Sequence, residues 1–362
     1  MRLLIATPLY PPELGGPATY TALLEEGLPA RGIEVSVVKF GDVRNRPKII
    51  RHIAYLRNVL REGRTCDAIL ALDPVSVGLP ARIAAFLLRK RFIVKIVGDY
   101  AWEQGTQRFG ITSTLDDFVH EKDVPFAVRV LRFVQRIVAN SARNVIVPSE
   151  YLKRIVQAWG VPAHKIEVIY NAIELESGGS VPVAVEKASR PKVVTVGRLV
   201  PWKHIDGVTA AVAMLDDSAS LIIVGEGPER ENIERHAYGT LGSRAHVVGA
   251  LTHKDTLAVI QDADVLVLNS SYEGLSHLLI EALMLGKAVI ATNVGGNPEL
   301  ITSEEDGLLV PAKDTGELTH ALKRVIEDAE LRARLGAHAK LRSEAFTAPV
   351  MLAAMKNLLQ PV

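Results

Sequence analysis

Short apolar runs, rich in Val, Ile and Leu, alternate along this chain with longer stretches of helical periodicity. This alternation is the pattern of βαβ units, in which helices bury both faces of a parallel sheet. The predicted strands of the first half span 2–8, 34–40, 68–73, 91–99, 144–149 and 166–172. Those of the second half span 192–198, 220–227, 246–251, 264–270, 288–296 and 307–312. The chain is therefore predicted to be an α/β protein with two doubly wound, Rossmann-like domains.

A chain of 362 residues is longer than one hydrophobic core usually supports. Residues 174–191 are rich in Gly, Ser and Pro and lack periodicity, so we expect them to link two domains. The N-terminal domain is predicted over 1–173 and the C-terminal domain over 190–345, facing each other across a cleft. An apolar helix over about 346–362 is predicted to cross back onto the N-terminal domain.

The single cysteine, Cys66, excludes an intramolecular disulfide framework and a cysteine metal cluster. The sequence has no HExxH or other metal-ligand spacing, so neither a metal site nor a cofactor is predicted. The first residues turn polar after too short an apolar run for a secretory signal. No apolar stretch approaches the ~20 residues of a membrane span. These features favour a cytoplasmic protein.

Charge is distributed unevenly between the two halves. Residues 1–173 contain 24 Lys and Arg against 16 Asp and Glu, whereas the remainder contains 18 against 25. A basic half can bind an acidic partner such as anionic lipid or nucleic acid. It can equally reflect solvated helix faces and complementary charge between two domains. We expect no nucleic-acid partner, and we keep peripheral contact with the inner face of an anionic membrane as a hypothesis.

Several loops that follow predicted strands carry residues suited to a phosphate or a nucleotide. Gly15 and Gly16 precede a helix whose N-terminus could face a phosphate, although a Gly-Gly turn alone is usually only a turn. Arg198 and Lys203 could hold a diphosphate, or they could be two solvated cations. Gly225 and Gly227 suit close passage of a nucleotide base, or simply a tight turn: Ile222 to Pro228 read IIVGEGP.

Residues 271–283, SYEGLSHLLIEAL, place Glu273 just before an apolar helix and Glu281 inside it. A carboxylate within an apolar run costs desolvation free energy unless a partner compensates. Elsewhere, residues 95–123 are the most irregular stretch and are predicted to be a long functional loop. Its candidate residues for an acceptor pocket are Asp99, Trp102, Arg108 and His120, although His120 alone is better explained as a solvated position.

Together these elements resemble a known family. EGLSHLLIEAL matches the E-x7-E motif of the retaining glycosyltransferases of family 4 (glycosyl transferases group 1), which have the GT-B fold. The resemblance also covers GGPA near the N-terminus, GRLVPWK, LIIVGEGPE and AVIATNVGGNPELI followed by GLLVP. It extends over most of the chain and is more specific in the second half.

The resemblance implies a role for each matching residue. Arg198 and Lys203 would hold the diphosphate of a UDP- or GDP-sugar donor, Glu281 would accept the ribose hydroxyls, and Glu273 would contact the donor sugar. The other residues implied to contact the donor are Gly15, Gly16, Gly225, Gly227, Gly274, Leu275, Ser276, His277 and Leu278. The family transfers the sugar to a hydroxyl acceptor by front-face attack without a metal ion. The implied catalytic residues are Glu273, Asp99, Lys203 and Arg198.

The sequence also departs from the family pattern. Many relatives have EGFG where Glu273 to Ser276 read EGLS, and a Gly where His204 follows Lys203. Many have a His after the fourth strand, where this chain has Gly98 and Asp99. Two alternatives stay open at this point. One is a sugar-nucleotide epimerase of the same fold, and the other is a non-catalytic relative that binds sugar nucleotides.

Overall fold

The computed structural model describes residues 1–13, 15–215 and 219–360. The chain folds into two compact units, Met1–Ala172 with Ala348–Val362 and Ile173–Thr347, here called unit 1 and unit 2. Among the helices of the described residues, none combines the length and the apolar character that crossing a lipid bilayer requires.

Unit 1 contains a six-stranded parallel sheet in the order β2-β1-β3-β4-β5-β6. Its strands are β1 (Arg2–Thr7), β2 (Glu34–Lys39), β3 (Ala68–Ala71), β4 (Arg91–Lys95), β5 (Asn144–Val147) and β6 (Ile166–Val168). Its helices are α1 (Gly16–Gly27), α2 (Lys48–Gly63), α3 (Gly78–Leu88), α4 (Tyr100–Arg108), α5 (Leu115–Phe118), α6 (Phe126–Ser141) and α7 (Glu150–Ala158). The strand order reverses at β1, as it does in doubly wound sheets.

Unit 2 contains a second six-stranded parallel sheet, in the order β12-β11-β10-β7-β8-β9. Its strands are β7 (Lys192–Val196), β8 (Ser220–Val224), β9 (Ala245–Gly249), β10 (Val265–Leu268), β11 (Ala288–Thr292) and β12 (Leu308–Val310). Its helices are α8 (Val183–Glu186), α9 (Ile205–Ala213), α10 (Arg230–Leu241), α11 (His253–Asp262), α12 (His277–Met284), α13 (Asn297–Leu300), α14 (Thr315–Glu327) and α15 (Ala329–Arg342).

The central strands of both sheets are buried on both faces. Every residue of β3, β8 and β11 is buried, as expected where helices cover a parallel sheet from two sides. Polar side chains are therefore displaced to the loops after the strands. All of the predicted strands are present, and most end several residues earlier than the apolar runs suggest, since the last residues of each run begin these loops.

The last helix, α16 (Ala348–Leu359), packs in the apolar core of unit 1 through Met351, Leu352 and Met355. The guanidinium of Arg91 donates to the carbonyl oxygens at 358 and 359, at 2.7 Å and 3.2 Å. Because these carbonyls end the helix, the cation is placed where the helix dipole favours it. The last two residues of the predicted helix, 361 and 362, lie outside the described residues.

The stretch 95–123 is not the long loop that the sequence suggested. It contains α4 and α5, each begun by a side-chain cap: Asp99 accepts the backbone N–H of Trp102, and Thr114 accepts that of Asp117. The prediction was wrong because these helices are short and polar, so they show little periodicity. The caps themselves were visible in the sequence as Asp and Thr before helix-compatible residues.

Unit 1 also buries a lysine. The ammonium of Lys95 at the end of β4 donates to Asn171 Oδ1 at 2.8 Å and lies 3.7 Å from the ring centroid of Tyr20. Burial lowers the pKa of Lys95 to about 7.

Replacing Lys95 with Met tests this burial. Between about pH 7 and the ordinary lysine pKa, the unfolded chain binds a proton that the folded chain does not, so stability rises with pH. We expect the free energy of unfolding of the wild type to rise relative to Lys95→Met by up to about 3 kcal/mol between about pH 7 and 9.5. Urea titrations at several pH values measure this difference, and a difference that stays constant would contradict it.

Candidate functional site

The loop between β10 and α12 brings Glu273 onto a lysine. Lys203 Nζ lies 2.5 Å from Glu273 Oε1, and the same oxygen accepts the hydroxyl of Ser270 at 2.7 Å. Both charged side chains are largely buried, with 19% of Lys203 and 13% of Glu273 exposed. The structure thus joins two predicted site residues that stand 70 positions apart in the chain.

Backbone contacts fix the short turn Pro201–Lys203 on this loop. The carbonyl of Trp202 accepts the backbone N–H of Ser271 at 2.8 Å, and Asn269 Nδ2 donates to the carbonyl of His204 at 3.0 Å. The turn and the loop therefore form one hydrogen-bonded assembly. These contacts hold the main chain of the turn that carries Lys203 against the main chain of the loop that carries Glu273.

His204 ends this turn in a left-handed conformation, with φ of 44° and ψ of 48°. A side chain with a Cβ is disfavoured there by roughly 1–2 kcal/mol relative to the right-handed region. Glycine adopts this conformation without that cost, which agrees with the Gly expected at this position from the family resemblance. The imidazole is half-buried, and that burial lowers the pKa of His204.

Two glycines in the loop after β11 pack closely against the backbone of the loop that carries Glu273. A Cβ on Gly295 would lie 1.9 Å from the carbonyl oxygen of Glu273, and one on Gly296 would lie 2.5 Å from that of Gly274. The N–H of Gly296 donates to the Glu273 carbonyl at 3.0 Å. The backbone of Glu273 is thus held by a neighbouring loop that admits only glycine.

Gly225 and Gly227 have a comparable packing role. A Cβ on Gly225 would lie 1.9 Å from the carbonyl oxygen of Gly197, and one on Gly227 would lie 2.2 Å from that of Leu199. The loop after β8 is therefore packed directly on the loop after β7, which carries Arg198. Arg198 itself is exposed to solvent. Gly225 and Gly227 were predicted either to pass close to a nucleotide base or to form a tight turn. The structure gives a packing reason for both glycines, and their contact with a donor stays a prediction.

Helix α12 begins at the other end of the Glu273 loop. Ser276 caps it, since its hydroxyl accepts the backbone N–H of Leu279 at 3.3 Å, and Leu275 is buried just before the cap. The first N–H groups of a helix have no intrahelical acceptor and lie at the positive end of its dipole. Residues His277 and Leu278 occupy these first helical positions, so the arrangement suits an anion such as a phosphate.

Glu281 lies one turn further along α12 and contacts His253, which in turn contacts Glu176; the sequence singled out neither partner. Its Oε1 is 2.9 Å from Nε2 of His253, whose Nδ1 is 3.0 Å from Oε1 of Glu176. Glu281 is 13% exposed, and burial raises the pKa of its carboxyl although His253 opposes this shift. No sequence signal pairs these residues, because Glu176 comes from an irregular segment and His253 and Glu281 come from two different helices, α11 and α12.

The remaining predicted residues lie in unit 1. Gly15 and Gly16 are exposed at the start of α1, and Gly15 has a φ of 146° that favours glycine. Arg108 ends α4 with its side chain exposed, and His120 is exposed after α5.

Asp99 and Trp102 are buried in the same region. Asp99 Oδ1 accepts the N–H of Trp102 and the amide of Gln135, both at 2.9 Å. The indole N–H of Trp102 donates to the carbonyl of Ser113. Burial raises the pKa of Asp99. The contacts of both side chains hold α4 in place, and at 1% and 5% exposure neither faces solvent.

Two family models match adjacent parts of the chain. The model described as Glycosyltransferase Family 4 matches residues 14–177, and the one described as Glycosyl transferases group 1 matches residues 182–342. Together they account for nearly the whole sequence. The chain belongs to glycosyltransferase family 4. The predicted family is confirmed.

Curated members of the family are similar over part of their length. An uncharacterised glycosyltransferase of Methanocaldococcus jannaschii is 25% identical over 57% of this chain and 55% of its own. A GDP-mannose-dependent phosphatidylinositol monomannoside mannosyltransferase of Mycobacterium tuberculosis is 28% identical over 58% of this chain and 59% of its own. The chain thus spans little more than half the length of these curated relatives.

A solved structure covers more of the chain. Anabaena Alr3699/HepE, solved in complex with UDP, matches with a TM-score of 0.77 and 20% identity over 99% of both chains. The same protein has been solved with UDP-glucose. At this identity the likeness shows the fold, which is GT-B with two Rossmann-like domains, as predicted.

The left-handed residue next to Lys203 gives a direct test of this local geometry. We expect the His204→Gly protein to be more stable than His204→Ala by about 1 kcal/mol, because only glycine adopts this conformation freely. Chemical denaturation measures the difference. Asp206, in the first turn of the right-handed helix α9, is the matched control. At this position the Ala variant should be more stable than the Gly variant. Equal stability of the two His204 variants would contradict the assignment.

Proposed function

We propose that the protein transfers a sugar from a nucleotide-diphosphate donor to a hydroxyl acceptor with retention of anomeric configuration. The observation that carries this proposal is the Lys203–Glu273 pair beside the N-terminus of α12, with Glu281 eight residues beyond Glu273. A cation and a helix N-terminus stabilise the negative charge of a departing diphosphate, while a carboxylate accepts hydrogen bonds from sugar hydroxyls. Family membership supports the same reaction class.

In the proposed reaction the bond between the anomeric carbon and the diphosphate oxygen breaks. The acceptor oxygen forms its bond to that carbon on the same face, and its proton passes to the departing phosphate oxygen. Lys203, Arg198 and the N–H groups at the start of α12 offset the negative charge that develops on the leaving group. The step needs no metal ion, and metal independence is part of the proposal.

Glu273 is proposed to orient the hydroxyls of the donor sugar. In the structure Glu273 Oε1 is occupied by Lys203 and Ser270, so sugar hydroxyls would meet the rest of the carboxylate. Gly274 and Leu275 would present backbone to the same sugar. Asp99 is proposed to act through α4, which it caps, and the exposed Arg108 and His120 to line the acceptor side.

The donor base and sugar are proposed from relatives. HepE has been solved with UDP-glucose, and the mycobacterial relative is named as GDP-mannose-dependent. We therefore propose a UDP- or GDP-sugar as the donor of this chain. A thermal-shift screen of UDP-, GDP-, ADP- and dTDP-sugars tests this, because a ligand that binds the folded state raises the melting temperature.

Replacing Glu281 or Lys203 with Ala separates binding from turnover. We expect Glu281→Ala to weaken binding of the selected nucleotide by about 1.5–3 kcal/mol, the usual size of hydrogen bonds to a charged group. Lys203→Ala should abolish transfer, since it removes the largely buried one of the two cations proposed to stabilise the leaving group. Calorimetry and a product assay measure the two effects. Conversion of donor without acceptor would point instead to an epimerase, and absence of turnover with every acceptor tried to a non-catalytic binding protein.

We further propose that unit 1 works at an anionic membrane surface in the cytoplasm. Helices α2, α3 and α6, of which α3 contacts the other two, leave large apolar side chains in solvent. Those more than 40% exposed are Ile49, Ile50, Ile53, Phe86, Leu87, Phe126, Val130 and Phe133. Arg57, Arg61, Arg89 and Arg129 are exposed on or beside the same helices. Apolar side chains with nearby cations suit the interface of an anionic bilayer.

Charge substitution of two exposed phenylalanines tests the membrane proposal. Phe126 and Phe133 lie on one stripe of α6, so Phe126→Asp with Phe133→Asp should lower binding to vesicles containing anionic lipid at least about tenfold. Vesicle sedimentation at low and high salt measures this. Leu341→Asp, at a 65% exposed position of α15 in unit 2, is the control and should bind like the wild type. A wild type that does not sediment with anionic vesicles would refute the proposal.

A further inference from the structure

The imidazole of His253 lies between two carboxylates. Its Nε2 is 2.9 Å from Oε1 of Glu281, and its Nδ1 is 3.0 Å from Oε1 of Glu176. A neutral imidazole has one N–H, so it can donate to only one of these acceptors. Both contacts are satisfied as hydrogen bonds when the ring is an imidazolium. The geometry is therefore that of a cation held between two anions.

Residues 176–180, near the beginning of unit 2, are fixed against the start of α11, where His253 lies. The N–H and the hydroxyl of Ser180 donate to Asp255 Oδ1 at 2.8 Å and 3.1 Å. A Cβ on Gly179 would lie 2.0 Å from the carbonyl oxygen of Lys254, so the backbones are in direct contact. Glu176 stands four residues before Ser180, and these contacts place its carboxylate beside Nδ1 of His253.

We propose that His253, held by Glu176, is a positioning residue that keeps Glu281 ionised and oriented to accept the ribose hydroxyls of the nucleotide donor. The proposal rests on the proposed function, which assigns those hydroxyls to Glu281. One oxygen of Glu281 is engaged by His253, and the other is the proposed acceptor for the ribose. Without the imidazolium, the largely buried Glu281 would lose the positive charge that offsets its desolvation, and Glu281 and Glu176 would compete for the one remaining N–H.

The charges around His253 decide the direction of its pH dependence. Burial lowers the pKa of His253, but hydrogen bonds to Glu281 and Glu176 outweigh this, so the net shift is upward. The imidazolium is therefore present below its raised pKa and lost as pH rises through it. Under the proposal, nucleotide binding weakens over that same rise.

Other charged groups near α11 face partners other than the imidazole. Lys254 Nζ lies 3.8 Å from Oε2 of Glu176, and Asp255 accepts hydrogen bonds from Ser180 and Thr252. From β7, which also contacts α11, Lys192 pairs with Asp262 at the far end of the helix. Among the residues that the structure describes, the charged groups within hydrogen-bond distance of the imidazole are thus the carboxylates of Glu281 and Glu176.

Ribose-specific binding distinguishes positioning from a general structural effect. Calorimetry would use UDP and GDP, each beside its 2′,3′-dideoxy counterpart. We expect His253→Gln to weaken binding of the ribose nucleotide by roughly tenfold and to leave the dideoxy nucleotide unchanged. Glu176→Gln should give the same pattern with a smaller loss. His338→Gln, at an exposed position of α15, is the matched control and should match the wild type.

A pH series gives a second readout, and its wild-type part does not depend on a variant that must fold. In the wild type, the ratio of ribose to dideoxy affinity should fall as pH rises from about 6 to about 8.5, and this ratio cancels titration of the diphosphate itself. In His253→Gln the ratio should be flat. A flat wild-type ratio, an equal loss for both nucleotides, or tighter binding by His253→Gln would overturn the proposal.

The outcomes also separate this proposal from the proposed function. If the wild type prefers ribose nucleotides and Glu281→Ala removes that preference while His253→Gln keeps it, only the positioning role is refuted. If the wild type binds none of the nucleotides, the proposed function fails and the positioning role fails with it.

Discussion

Burial of both faces of each parallel sheet is the constraint on which the rest of this structure depends. The central strands β3, β8 and β11 are buried throughout and mostly apolar, so the polar residues of the candidate donor site lie in the loops beyond the strands. Adjacent parallel strands end at the same edge, and their loops are brought together there. Lys203 after β7 and Glu273 after β10 meet for this reason, since β7 and β10 are neighbours in the sheet.

The loops at this edge hold one another by backbone contacts. The turn before His204 is bonded to the loop after β10, which in turn lies under the glycines after β11. The loop after β8 rests on the loop after β7 in the same way. Side-chain positions in the candidate donor site are therefore set by a continuous set of main-chain contacts, which is how preorganised binding of a charged ligand is achieved.

The sequence predicted the strands, the two-unit organisation of the fold class and the family, because these depend on periodicity and on short local patterns. It also predicted that Glu281 lies inside an apolar helix, where its carboxylate needs a partner that compensates the desolvation free energy. The partner could not be predicted, since His253 and Glu176 lie 28 and 105 positions away and carry no pattern of their own. Helices α4 and α5 were missed because short capped helices have too few turns to show a period.

The glycines at 295 and 296 have a consequence for exchanging parts between members of the family. Their missing side chains leave the space that the main chain at 273 and 274 occupies, so the two loops are complementary in shape. A loop grafted from a relative in place of 269–276 would fit only if it followed the same path. Recombination that aims at a new donor sugar should therefore transfer 269–276 and 293–297 as one module, although 16 residues of helix and strand separate them in the sequence.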